Sequence, residues 1–142
     1  MAIVYFDSSA FVKLLVDEDG TELVALLWDG CDAALSSRLA YPEVRAALAA
    51  AHRSHALDAR GYRTGLQAWE EYWAATRPVE LRREVERHAG ELAQRHSLRG
   101  ADAVHLASAL TVPANELVVA VWDRRLHAGA TAEGLATAPA LM

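Results

Sequence analysis

Two stretches of the chain, "IVYFD" at residues 3–7 and "VVAVWD" at residues 118–123, run apolar without a break and then stop at an aspartate. Unbroken apolar runs, rather than alternating ones, are what parallel strands covered on both faces require. Parallel neighbours in turn demand long crossover connections, usually helical. The intervening sequence supplies them. "SAFVKLLV" and "TELVALLW" have helical spacing, and "DAALS" is short and extended. "RLAYPEVRAALAAAHRS" is an alanine-rich helix in which Pro42 is tolerated only near the start. From Asp58 to Ala75 the residues Tyr62, Leu66, Trp69 and Trp73 share one helical face, and Pro78 is expected to end that segment. "VEL" at 79–81 is expected as a brief strand, "RREVERHAGELAQRH" as an amphipathic helix, and "GADAVHLASAL" as a central helix apolar almost all round. "RRLHAGA" reads as a helix and "GLATA" as a last edge strand. The class is α/β with a parallel sheet.

Size and composition limit what such a fold can do. The 142 residues, 53% apolar and 23% charged, suit a single domain over 1–142 with a proper core. Cys31 is the sole cysteine, so no intramolecular disulfide forms. The first apolar run has no basic residues before it, and none approaches the roughly 18 residues of a membrane span. Neither a signal peptide nor a membrane location is expected, and the cytoplasm is the expected compartment. The formal charge of −5 argues against holding nucleic acid by bulk positive charge, so any such contact must be local.

The acids at the strand tips define the candidate site. Asp7 and Asp123 should lie at the carboxyl ends of parallel strands, where open α/β sheets bind ligands. Glu43 shares a helical face with Leu39, Ala40, Ala46, Ala47 and Ala50, with Arg45 nearly opposite. Asp102 sits in a first helical turn after Gly100, among Ala101, Ala103, Val104 and Leu106. Singly, each aspartate reads as a helix cap and Glu43 as half of an ion pair. As a set they lack cationic partners, because Lys13 is the only lysine and most arginines fall on polar faces. Unpaired carboxylates brought together have raised pKa values and cost stability. A divalent cation removes that cost, and an all-oxygen donor set selects Mg2+ or Mn2+. Ser9 is placed to bond a carboxylate or a metal-bound water, with a local cap as its ordinary role. Arg124 and Arg125 follow Asp123 and are placed to meet a phosphate, or simply to begin a solvated helix. His105 reads as a hydrogen-bonded core residue, and the Trp69 and Trp73 stripe as core or subunit contact rather than a base-stacking platform.

These blocks resemble the PIN-domain ribonucleases and, within them, the VapC-type toxins of bacterial toxin–antitoxin pairs. "YFDSSAFVKLLVDE" looks like the opening strand and helix with the first acid, and "SSRLAYPEVRAAL" resembles the second block with Glu43. "LRGADAVHLASAL" is similar to the third, with Asp102, and "VVAVWDRRLHAGATAEGL" to the fourth, with Asp123. The resemblance implies a three-layer α/β/α fold around a central parallel sheet of about five strands. It also implies a Mg2+ or Mn2+ site built from Asp7, Glu43, Asp102 and Asp123, endoribonuclease activity on RNA, and inhibition by a small antitoxin. Together with the Tyr62–Trp73 face it suggests a homodimer. Val121 departs from the pattern, where a threonine is frequent two residues before the fourth acid. Two rival readings carry the same acids. A phosphatase of the haloacid dehalogenase class wants an aspartate where this chain has Ser9. A catalytically weak PIN-like module would bind RNA or protein without cleavage.

Overall fold

The computed structural model describes residues 2–142, and the chain alternates strands and helices from end to end. In order these are β1 (Ile3–Phe6), α1 (Ser8–Leu15), α2 (Thr21–Gly30), β2 (Ala33–Ser37), α3 (Ala40–Arg53), α4 (Ala59–Ala74) and β3 (Arg77–Val79). There follow α5 (Arg83–His96), α6 (Gly100–Ala109), a short 3-10 turn (Ala114–Glu116), β4 (Leu117–Ala120), α7 (Arg124–Ala132) and β5 (Ala136–Ala138). The strands form one five-stranded sheet in the order β3-β2-β1-β4-β5, with every pairing parallel.

Each face of the sheet is covered by its own core, which is why its central strands carry no polar alternation. On one face Val4, Phe6 and Ala120 meet Phe11 of α1, Val24 of α2, Val44 and Leu48 of α3, and Trp69 of α4. On the other, Tyr5, Leu117 and Val119 meet Val85 and Leu92 of α5, Leu106 of α6 and Leu126 of α7. The three-layer α/β/α architecture is thus as the sequence suggests. The Trp69 stripe belongs to the first core. Trp69 is fully buried, in edge contact with Phe11 at 4.8 Å between ring centroids, and Tyr41 stacks on it at 6.1 Å. Tyr62, Leu66 and Trp73 of the same face are only partly buried. Among the described residues, no helix is long and apolar enough to cross a membrane.

Two local expectations are corrected. The third strand is Arg77–Val79 rather than residues 79–81, so Pro78 lies inside it instead of merely ending α4. It is an edge strand, where a missing N–H breaks no inner ladder. In α3 the buried stripe is Ala40, Val44 and Leu48, while Ala46 and Ala50 are exposed. Glu43 therefore stands at the border of the buried stripe, half-buried, not in its centre.

One glycine is fixed by its neighbour near the acids. Gly20 caps α2 with φ at +96°, and a Cβ there would lie 2.8 Å from Nε1 of Trp122, the residue before Asp123. Gly30, at the other end of the helix, has nothing within 4 Å of a Cβ. Gly20→Ala should lower the melting temperature by roughly 5 °C or more, since a left-handed backbone alone costs an L-residue ~1–2 kcal/mol. Gly30→Ala should be neutral or slightly stabilising. Thermal melts of the two variants side by side check this, and equal shifts would remove the Trp122 contact from the account.

Candidate active site

The helix after β1 packs on one face of the sheet and the helix after β4 on the other, although β1 and β4 are neighbours. At such a switch the two connections diverge and leave a crevice beyond the strand ends, the usual ligand position in open α/β sheets. Asp7 and Asp123 sit on its two rims. The ladder register pairs Phe6 with Ala120, and the Asp7 N–H extends it by bonding the Ala120 carbonyl at 3.2 Å.

Both aspartates are helix N-caps. An Oδ1 atom accepts the Ala10 N–H at 2.9 Å for Asp7 and the Leu126 N–H at 3.0 Å for Asp123. The capping role read for each is therefore real, and it does not exhaust Asp7. This residue is only 4% exposed, and burial pushes its carboxyl up to about 6. The charge of His105 and the hydrogen bonds from Ser9 and Ala10 oppose the rise, and the Asp123 carboxylate adds to it. Ser9 Oγ donates to Asp7 Oδ1 at 2.6 Å and accepts the Trp122 N–H at 3.0 Å, so one hydroxyl ties the tip of β1 to the segment after β4.

Glu43 closes the crevice from α3. Its Oε1 accepts from Ser8 Oγ at 2.7 Å and from His105 Nε2 at 2.6 Å. His105, buried on α6, shares a second hydrogen bond through Nδ1 with the Tyr5 hydroxyl at 2.7 Å, and that hydroxyl accepts the Ser37 N–H at 3.0 Å. Burial, reinforced by the Asp7 charge, pushes the Tyr5 hydroxyl far up, so it stays protonated. Burial alone would raise Glu43 too, but the hydrogen bond and charge of His105, with the Ser8 hydroxyl, outweigh it and hold the carboxyl below its ordinary value. Glu43 stays ionised, and among the described residues its Oε2 accepts no hydrogen bond.

Asp102 lies in the first turn of α6 with its side chain 14% exposed. Arg99 joins it to Asp123, with Nε 3.3 Å from Asp102 Oδ2 and Nη2 3.6 Å from Asp123 Oδ2. The four acids thus lie at one end of the sheet without converging on a point: Arg99 bridges Asp102 and Asp123, while Asp7 is held by Ser9 and Glu43 by Ser8 and His105. Among the described residues no three His, Cys, Asp or Glu side chains form a group arranged to hold a metal ion. Arg124 and Arg125 are exposed at the start of α7 and make no hydrogen bond or ion pair among the described residues. Arg99 and Ser8, which do touch the acids, were not singled out by the sequence reading. His105 is the hydrogen-bonded core residue expected, with Glu43 as one of its partners.

The PIN domain model matches residues 4–127, a span that contains all four acids. The chain belongs to the PIN-domain family. Two relatives from Mycobacterium tuberculosis are each 67% identical over 140 residues, 99% of this chain and 97% of theirs. They are Ribonuclease VapC45 of strain CDC 1551 / Oshkosh and Ribonuclease VapC49 of strain H37Rv. The crystal structure of FitAcB from Neisseria gonorrhoeae shares the fold, with a TM-score of 0.68 at 17% identity over 94% of this chain and 95% of that one.

In this PIN domain the raised Asp7 carboxyl has a measurable consequence. Folding favours its protonated form, so the stabilisation is fully present below about pH 4 and is lost as pH rises through about 6. Asparagine caps as well as aspartate and does not ionise. In EDTA, Asp7→Asn should therefore gain on the parent by about 2–3 kcal/mol between pH 4 and pH 7. Urea unfolding at both pH values measures this, and a constant difference would show that burial does not strain the ionised carboxylate.

Proposed function

We propose that the protein is a divalent-metal-dependent endoribonuclease hydrolysing RNA phosphodiester bonds, and that it is the toxin of a toxin–antitoxin pair acting in the cytoplasm. The observation that carries the reading is the buried Asp7, pushed up to about 6 and facing Asp123 across the switch between β1 and β4. A buried carboxylate held in that state beside a second one calls for a cation. The full-length likeness to two proteins named as VapC ribonucleases supports the choice of substrate.

By its chemistry, though not by the present convergence of its side chains, the donor set fits Mg2+ or Mn2+. It consists of carboxylate oxygens, and both ring nitrogens of His105 are engaged by Tyr5 and Glu43, so no nitrogen donor is offered. Asp7, Asp102 and Asp123, with Glu43, would hold the ion. Bound there, a divalent ion supplies a nucleophile at neutral pH and neutralises charge on the phosphoryl oxygens. The chain's own residues do the rest. Glu43, fixed through Oε1 by Ser8 and His105, presents Oε2 to orient the attacking water. The Tyr5–His105 pair locks the direction of Glu43, and Ser9 holds Asp7 in the crevice. A small antitoxin would restrain the enzyme, and a homodimer would form through the partly exposed Tyr62, Leu66 and Trp73 of α4.

Purified protein should cleave single-stranded RNA in Mg2+ or Mn2+, stop with EDTA, and leave 5′-phosphate and 3′-hydroxyl ends. Glu43→Gln should lower the rate by about 100-fold or more without loss of folding, as expected when a water-positioning group is removed. Cyclic phosphate ends, or cleavage that survives EDTA, would sink the proposal. RNA binding without any cleavage would favour the non-catalytic module instead.

A further inference from the structure

Arg99 is a guanidinium in contact with two of the four acids, yet its side chain is 70% exposed. It stands at the N-cap position of α6 and makes no side-chain capping bond, so the helix does not depend on that side chain. Exposed ion pairs at 3.3 and 3.6 Å are weak and readily exchanged. What the pairs do achieve is to supply positive charge between Asp102 and Asp123, whose side chains are only 14% and 30% exposed. That is the charge the carboxylates would otherwise draw from a metal ion.

We propose that Arg99 is a movable cation of the site: it clasps Asp102 and Asp123 while they lack a metal, and on metal binding it turns outward to grip a phosphate of the RNA. This rests on the metal-dependent ribonuclease reading. Two cations cannot occupy the same pair of carboxylates without repulsion, so Arg99 and a divalent ion compete there. Once displaced, the guanidinium remains at the mouth of the crevice on an unpacked stem. Its planar fork matches a phosphate, and an RNA crossing β1 and β4 would carry one past it. The role differs from that of Arg124 and Arg125, which touch no acid.

The test uses the full chain and begins without RNA. Arg99→Gln keeps length and polarity, and avoids the new helix cap that asparagine or serine would introduce. Mn2+ binding, read from the loss of the free-ion electron paramagnetic resonance signal, should be about threefold to tenfold tighter in Arg99→Gln than in the parent. Arg99→Lys keeps the charge but loses the fork. It should fall between the two, and it carries the same test should the glutamine variant fail to fold. Affinity for single-stranded RNA is then measured against salt in Mg2+, in a Glu43→Gln background that retains the three aspartates. Replacing Arg99 by glutamine there should weaken binding and lower the slope of log affinity on log salt by about 0.7, one phosphate contact. Unchanged or weaker Mn2+ binding overturns the competition, and an unchanged salt slope overturns the phosphate contact. A parent that binds no Mn2+ and cleaves no RNA overturns the ribonuclease reading along with this one. A parent that does both while its Arg99 variants match it overturns this inference alone.

Discussion

The pairing of β1 with β4 is the constraint on which the site depends. Four consecutive register pairs, from Ile3 with Leu117 to Phe6 with Ala120, fix how far each strand runs before its chain leaves the sheet. The strands are parallel and their following helices go to opposite faces, so both chains must turn at the same edge and in opposite senses. An apolar residue at either turn would leave helix N–H groups without partners, and aspartate provides them. Packing of the sheet thus brings two carboxylates to one crevice before any question of chemistry arises.

The other two acids arrive from the helical layers, and a hydrogen bond of one of them, Glu43, holds those layers together. Glu43 belongs to α3 in one layer and His105 to α6 in the other, and they meet at 2.6 Å. Beneath them the Tyr5 hydroxyl links His105 to the backbone of Ser37 on β2. This chain of polar contacts sits where two apolar cores end, and a missing member would leave a buried group unpaired. The fixed direction of the Glu43 carboxylate thereby comes from the joint between layers.

The sheet and its acids were legible because they are written in local order. A strand that ends in an acid is a contiguous string, and a helix apolar all round announces that it is central. The phase of α3 was not legible, because alanine has no strong preference between core and surface. Ala46 and Ala50 therefore read like Ala40, and the buried stripe is revealed only by Val44 and Leu48. The third strand was displaced by the rule that proline breaks regular structure, which an edge position relaxes. Arg99 precedes Asp102 by one helical step, a visible spacing, but its contact with Asp123 joins segments that only the fold makes neighbours. Ser8 was passed over for Ser9, since which hydroxyl faces α3 depends on the angle at which α1 leaves the strand.

The capping bonds of Asp7 and Asp123 bear on how such a chain changes over generations. Each aspartate closes the first turn of a helix that lies against a core, so its loss is felt in folding as well as in chemistry. Glu43 and Asp102 cap nothing, but loss of Glu43 would leave the buried His105 short of a partner, whereas Asp102 meets only the exposed Arg99. A descendant released from the need to cut RNA would therefore lose its acids in order, Asp102 first and the three that the fold itself uses late. In such a lineage Asp102 is the informative position, while Asp7, Glu43 and Asp123 testify mainly to a fold still kept.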